Sequence, residues 1–273
     1  MRFLIVIAFC FVPYSGPAGE TGSALPTGDV QKVVLSKIDP RFVKNGRLDV
    51  ESVVRYFDHL YRSDNSISIA ELTVIKPRLS RKLRMKIWSS GDEKALVLIE
   101  SPAREKGTAT LKVDKSLWNF FPRIKRTIRI PPSMMLQSWM GSDFTNDDLV
   151  QESSLVRDYS YEFTGCSTDP AGWILQFTAR PDVVGLWKRF VVVLSEDGLI
   201  PLKAMYYDRK DRLSRTITWD SITVFNGRKI PARMTLVPED KEGQKTEMTY
   251  LEINFNAEVP ESTFSLLQLE NVQ

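Results

Sequence analysis

The chain of 273 residues holds two cysteines and one histidine, which leaves almost no material for a zinc site, a thiol redox pair or histidine-based catalysis. An excess of charge of one sign is also missing. Thirty-seven Lys and Arg against 34 Asp and Glu give a net +3, so no bulk basicity points to nucleic acid. What is present is an ordinary globular composition, 42% hydrophobic and 26% charged with 14 Gly and 15 Pro. It excludes a disordered, collagenous or polytopic membrane protein and supplies a sizeable core for one large domain or two modest ones.

The apolar run Phe3–Val12 is too short to cross a bilayer core, which needs about 20 residues of helix. Arg2 precedes it, and Pro13, Ser15, Gly16, Pro17 and Ala18 follow. That order of charge, apolar run and small residues reads as a secretory signal over residues 1–24, cut after Ala18 or after Ala24. Acylation of Cys10 is disfavoured, because bulky Phe9 stands in front of it and only seven apolar residues separate it from Arg2. The mature chain then keeps Cys166 alone, in a turn context, and has no internal disulfide.

Residues 25–48 read as an N-terminal helical extension. Val30, Val33, Val34 and Ile38 follow Asp29 at helical spacing, and Pro40 closes the run. Asp49 is a good N-cap for a second helix carrying Val50, Val53, Val54, Phe57, Leu60 and Tyr61 on one stripe. His59 lies beside that stripe with no second metal ligand nearby in sequence. From Ser66 onward the period changes to two, as in Leu83, Met85 and Ile87 or Tyr159, Tyr161 and Phe163. Turn pairs such as Asp197-Gly198 and Asn226-Gly227 separate the runs. About eleven strands joined by short turns predict a mainly β (α+β) domain over 49–273, a large curved antiparallel sheet forming a half-open barrel. So wide a barrel is not filled by its own side chains, and a helix or a ligand cavity must occupy it.

One segment breaks the pattern. Pro131 and Pro132 end a strand and predict a short inserted helix that Gly141 terminates. Met134, Met135 and Met140 crowd there with Leu136 and Trp139, three of the chain's eight methionines. Methionine adapts to varied apolar partners, so the segment is either a lid over an apolar ligand or a helix packed permanently on the sheet. Asp143, Asp147 and Asp148 behind it miss the calcium-loop spacing, since position 145 is Thr and no Gly follows, and they read as helix caps. Arg126 shares the phase of Ile124 and Ile128, an apolar face where a charge needs a carboxylate or a ligand head group. Arg189 stands in the same position between Trp187 and Val191.

The run Leu117-Trp118-Asn119-Phe120-Phe121-Pro122-Arg123-Ile124-Lys125-Arg126, then Ile130 to Met135, then Trp139 to Leu149, resembles the bacterial outer membrane lipoprotein-sorting protein family. Tyr207-Asp208, Arg228 to Pro231 and Val237 to Asp240 continue the likeness, which covers roughly Val50 to Leu269. The resemblance implies a lipoprotein-carrier fold, LolA- and LolB-like, whose helices cover a concave apolar face. It also implies a periplasmic, non-enzymatic carrier for the acyl chains of a lipoprotein or lipid, working beside an inner-membrane export permease. No cofactor, metal or nucleic acid is expected, and the protein is expected to be a monomer. Trp118, Phe120, Phe121, Met134, Met135, Leu136, Trp139 and Met140 are the expected apolar contacts, with Arg126 at the polar end. The alternative is an envelope lipid sensor or adaptor that binds a membrane permease or regulator.

Overall fold

The change of period near Ser66 is where the sheet begins. The computed structural model describes residues 35–150, 155–181 and 187–272. The expected signal sequence, both expected cleavage sites and most of the expected helix over Gly28–Ile38 lie outside those residues; only its positions 35–37 are seen as helix. A small hairpin of β1 (Val43–Lys44) and β2 (Arg47–Leu48) leads to helix α1 (Val50–Asp58). Asp49 caps α1 as its spacing predicts, accepting from the Ser52 amide at 3.1 Å and the Ser52 hydroxyl at 2.7 Å. Asp49→Ala is expected to cost about 1 kcal/mol of unfolding free energy, measurable by urea titration.

The sheet strands are β3 (Asn65–Lys76), β4 (Leu79–Ser90), β5 (Lys94–Ser101), β6 (Ala109–Val113), β7 (Ser116–Phe121) and β8 (Arg126–Arg129). After the inserted segment come β9 (Tyr159–Thr168), β10 (Ala171–Ala179), β11 (Arg189–Leu194), β12 (Pro201–Tyr207), β13 (Leu213–Phe225), β14 (Arg228–Pro238) and β15 (Lys245–Asn254). These are two antiparallel meanders, and β3 of the first pairs with β15 of the second to give one sheet of 13 described strands. Its end strands β8 and β9 do not pair with each other, so the barrel stays open. Sequence counting reached about eleven strands because some strands do not alternate. Leu96, Val97, Leu98 and Ile99 of β5 are all buried, since both faces of that strand are covered.

Register separates the two faces. Leu175, Val192, Ala204, Ile217, Leu236, Thr246 and Val74 align in one row from β10 to β3, across the junction of the meanders. This is the inner face. Helix α1 buries Val53 and Val54 on its β10–β12 end, among Phe177, Phe190 and Val192. The inserted segment covers the β3–β5 end, packing Trp139 among Leu72, Leu83, Met85 and Ile99. On the opposite face, the C-terminal helix α4 (Leu266–Asn271) seats Leu269 on Leu96, Leu98, Ala109 and Leu111. Two short helices, α2 (Asn146–Val150) and α3 (Leu155–Asp158), lie between the meanders.

The inserted segment is not the single short helix its composition predicts. It forms two 3-10 turns, Pro132–Met134 and Trp139–Gly141, with left-handed backbone at Met140 (φ 49°) and Gly141 (φ 70°). So few residues between Pro132 and Gly141 do not offset helix nucleation. Cross-bonds win instead: Trp139 N donates to Phe144 O at 2.8 Å and Asn146 N to Gln137 O at 3.0 Å.

Arg126 is also placed differently. Lys125 takes a left-handed turn (φ 49°) that leaves Ile124 outside the strand, while Arg126 keeps the phase of Ile128 on β8. Ile124 and Ile128 are 59% and 42% exposed, and Arg126 is exposed on the edge strand β8. Arg189 shares a face with Val191, away from the inner row, and finds its carboxylate in Asp211 at 2.7 Å.

Candidate functional site

One row of the inner face is aromatic. Register aligns Tyr161, Phe177, Phe190, Tyr206 and Arg215 on successive strands β9 to β13. Phe177 stacks on Phe190 with centroids 4.4 Å apart, and Phe190 stacks on Tyr206 at 5.2 Å. The Arg215 guanidinium ends the row, 4.7 Å from the Tyr206 ring centre and 4.5 Å from that of Trp187. Guanidinium stacking between two rings suits arginine, being planar and weakly hydrated.

Facing this row, α2 opens with Thr145-Asn146-Asp147-Asp148. Asp148 Oδ2 accepts from Thr145 N at 2.8 Å, and Thr145 Oγ1 accepts from Asp148 N at 3.2 Å, the reciprocal pair of a capping box. The cap reading of Asp148 is therefore half of its role. The same carboxylate takes Arg215 in a fork, with Oδ1 to Nη2 and Oδ2 to Nη1 both 2.7 Å. Burial pulls the Asp148 carboxyl up, but Arg215 and the Thr145 hydrogen bonds outweigh it and hold it below the usual carboxylate range. Both oxygens of Asp148 are thus engaged and its carboxyl is held ionised by the guanidinium, which unsuits it as a general base. Asp143 anchors the segment from the other side, accepting from buried Thr246 Oγ1 at 2.8 Å.

Between the end of α1 and this ion pair lies a cavity of about 290 Å³. Phe57, Tyr61, Phe144, Leu155, Tyr159 and Trp187 form its walls, and Phe190, Tyr206, Ile217, Trp219 and Met234 its floor. Its charged lining consists of Asp58, Arg62, Asp148 and Arg215. Burial raises the Asp58 carboxyl, with Arg62 at 3.5 Å opposing the shift, and burial pushes the Tyr206 hydroxyl up to about 12. These groups are arranged to hold an apolar body against a few fixed polar atoms, the usual composition of a small-molecule pocket. Among the described residues no three of His, Cys, Asp and Glu converge to hold a metal ion. His59 lies beyond the last turn of α1 with an exposed side chain, 3.8 Å from Asp58.

The sheet divides the residues singled out from sequence. Trp118 and Phe120 point to the α4 face, opposite Leu111 and Ala109, and Phe120 lines a separate open groove of about 790 Å³ beside Val272. Phe121 is half-buried at the end of β7. Met134 and Met135 pack on Leu117 and Ile130; Leu136 is exposed; Trp139 and Met140 join the β3–β5 core. None of these eight lines the 290 Å³ cavity, which meets the segment later, at Phe144 and Asp148. Arg215 escaped sequence reading although its signal was present. It holds an apolar phase with Ile217 and Trp219, the same anomaly that singled out Arg126 and Arg189.

A family model whose description reads "-like: Uncharacterized protein" matches residues 91–271, about two thirds of the chain. No curated protein matches it. Solved structures share the fold. A DUF1329 family protein from Desulfovibrio piger has a TM-score of 0.72 at 23% identity, over 80% of this chain and 96% of that one. A domain described as outer membrane lipoprotein-sorting, from Vibrio parahaemolyticus, gives 0.70 at 22%, over 81% and 97%. A LolA superfamily protein from Nitrosomonas europaea gives 0.66 at 20%, over 80% and 98%.

Proposed function

The chain belongs to the family matched over residues 91–271, and from its carrier-type fold we propose that it is a non-enzymatic periplasmic carrier for the acyl chain of a lipoprotein or lipid. The observation that carries this reading is the aromatic cavity of about 290 Å³ under α1 on the inner face. It lies at the lower end of the ~300–1,000 Å³ that small-molecule sites span, a size suited to one apolar chain rather than several. The contacts are then Phe57, Phe144, Trp187, Trp219 and Met234, with the Arg215–Asp148 pair as the polar pole. The signal-like residues 1–24 supply the address, and an inner-membrane permease is the partner from which cargo would be received.

The test is mass spectrometry of lipids that co-purify with the mature protein from its own envelope. Acylated material in near-stoichiometric amount is expected. Lipid-free protein that also ignores a fluorescent acyl probe would sink the reading. Met234 supports a second check, because it lies on the cavity floor. Met234→Trp puts a larger side chain into the space, so probe affinity is expected to fall about tenfold or more. Overpacking should cost only about 1–3 kcal/mol of stability.

A further inference from the structure

The whole chain has a net charge of only +3, yet residues 115–142 alone carry five basic side chains and no Asp or Glu. Such a block in a nearly neutral chain makes a local basic surface. Three of the five, Arg123, Lys125 and Arg126, crowd the turn from β7 into β8 and are exposed. The turn from β5 into β6 adds exposed Arg104 and Lys106. The two turns touch, since a Cβ on Gly107 would meet Pro122 Cγ at 3.3 Å. Acids at this end of the sheet are engaged elsewhere. Glu105 pairs with Arg81 and Glu100 with Arg84, both at 3.4 Å, while Glu270 of α4 accepts from the Thr127 hydroxyl at 2.6 Å.

Ile124 stands between Arg123 and Lys125 with 59% of its surface exposed. Beside it, bordered by both turns and by α4, runs the open groove of about 790 Å³, apolar at Leu98, Phe120 and Pro122, with Lys106 and Lys125 in its lining. Short, charged edge strands discourage edge-to-edge pairing, which accounts for Arg126 and Arg129 on β8. Edge protection does not account for cations on two turns, nor for an isoleucine left bare among them. A protein partner would need a contiguous apolar centre, whereas Ile124 is flanked by charge on both sides. An apolar apex among cations suits an anionic lipid surface instead. The isoleucine enters the headgroup layer, and the Lys and Arg stems lie along it with their charged ends on the phosphates.

We propose that this end of the first meander docks on the surface of an anionic lipid bilayer, with Ile124 inserted and Lys106, Arg123 and Lys125 on the phosphates. The proposal does not rest on the carrier reading, because none of these residues lines the 290 Å³ cavity.

The experiment is co-sedimentation of the mature protein with vesicles of phosphatidylcholine alone and of phosphatidylcholine mixed with phosphatidylglycerol in equal parts. Partitioning onto the mixed vesicles is expected to exceed that onto the neutral ones by about tenfold or more and to weaken as salt is raised. The triple variant Lys106→Gln, Arg123→Gln and Lys125→Gln should lower it about a hundredfold, the summed attraction of three basic side chains to an anionic leaflet. Ile124→Ser should lower it about tenfold, through the apolar area no longer inserted. All four positions are exposed or open to the groove, so both variants should stay folded and keep the parent's affinity for an acyl probe. Equal partitioning onto both vesicle types, or none onto either, overturns the proposal and leaves the carrier reading standing. A folded triple variant that partitions like the parent overturns it too. A triple variant that self-associates, from a parent that ignores vesicles, would make the cations edge protection only and also overturns it.

Discussion

Trp139→Ala is expected to lower the unfolding free energy by about 3–5 kcal/mol, a large share of the ~5–15 kcal/mol available to a domain. Trp139 is 3% exposed and packs among Leu72, Leu83, Met85 and Ile99. Its Nε1 donates to Thr110 Oγ1 at 3.1 Å, and that hydroxyl donates to buried Asn119 Oδ1 at 2.7 Å. Truncation leaves a cavity and removes one donor from a buried polar chain. Leu136, three residues earlier and 59% exposed, should change stability by less than about 0.5 kcal/mol when cut to Ala. The contrast separates two roles for the methionine-rich segment. A lid that opens would expose Trp139 at modest cost, whereas a permanent cover would not. The geometry favours the permanent cover, and chemical unfolding of both variants measures it. A Trp139→Ala protein within 1 kcal/mol of the parent would contradict this.

The second large effect belongs to the ion pair. Arg215→Met alone should cost about 3–5 kcal/mol, because Asp148 stays buried without its partner. Removing both charges with Arg215→Met and Asp148→Leu should recover most of the loss, since a well-packed apolar pair often matches a buried salt bridge. The pair also carries a pH signature. Asp148 has a folded pKa below its unfolded value near 3.9, so its contribution is fully present above the unfolded value. That contribution is lost as pH falls through the lowered folded value. Relative to the double variant, the parent should hold constant stability above about pH 5 and lose ground below about pH 4. Parallel acid limbs for the two proteins would mean that Asp148 is not held ionised by Arg215.

Sequence alone determined the materials of this fold. Period-two runs such as Leu83, Met85 and Ile87 require strands with one apolar side, and short turns between them require an antiparallel meander. Asp49 ahead of an apolar stripe fixed the start of α1, a signal contained within one turn of helix. Phase also marked the charges at odds with their strands, although it treated Arg126 as interior. Arg126 does keep the phase of Ile128, but β8 is the edge strand and that face is left exposed there, which alternation by itself does not reveal. Only tertiary structure decided which apolar side closes over a cavity. Alternation distinguishes two faces but does not rank them, and it does not show that Trp118 and Phe120 fall on the α4 side of the sheet, away from the 290 Å³ cavity. The pairing of β3 with β15 and the meeting of Asp148 with Arg215, 67 residues apart, are non-local for the same reason. They depend on how far the sheet curls and on which segment lands on which face, and these are properties of the packed whole rather than of any window of residues.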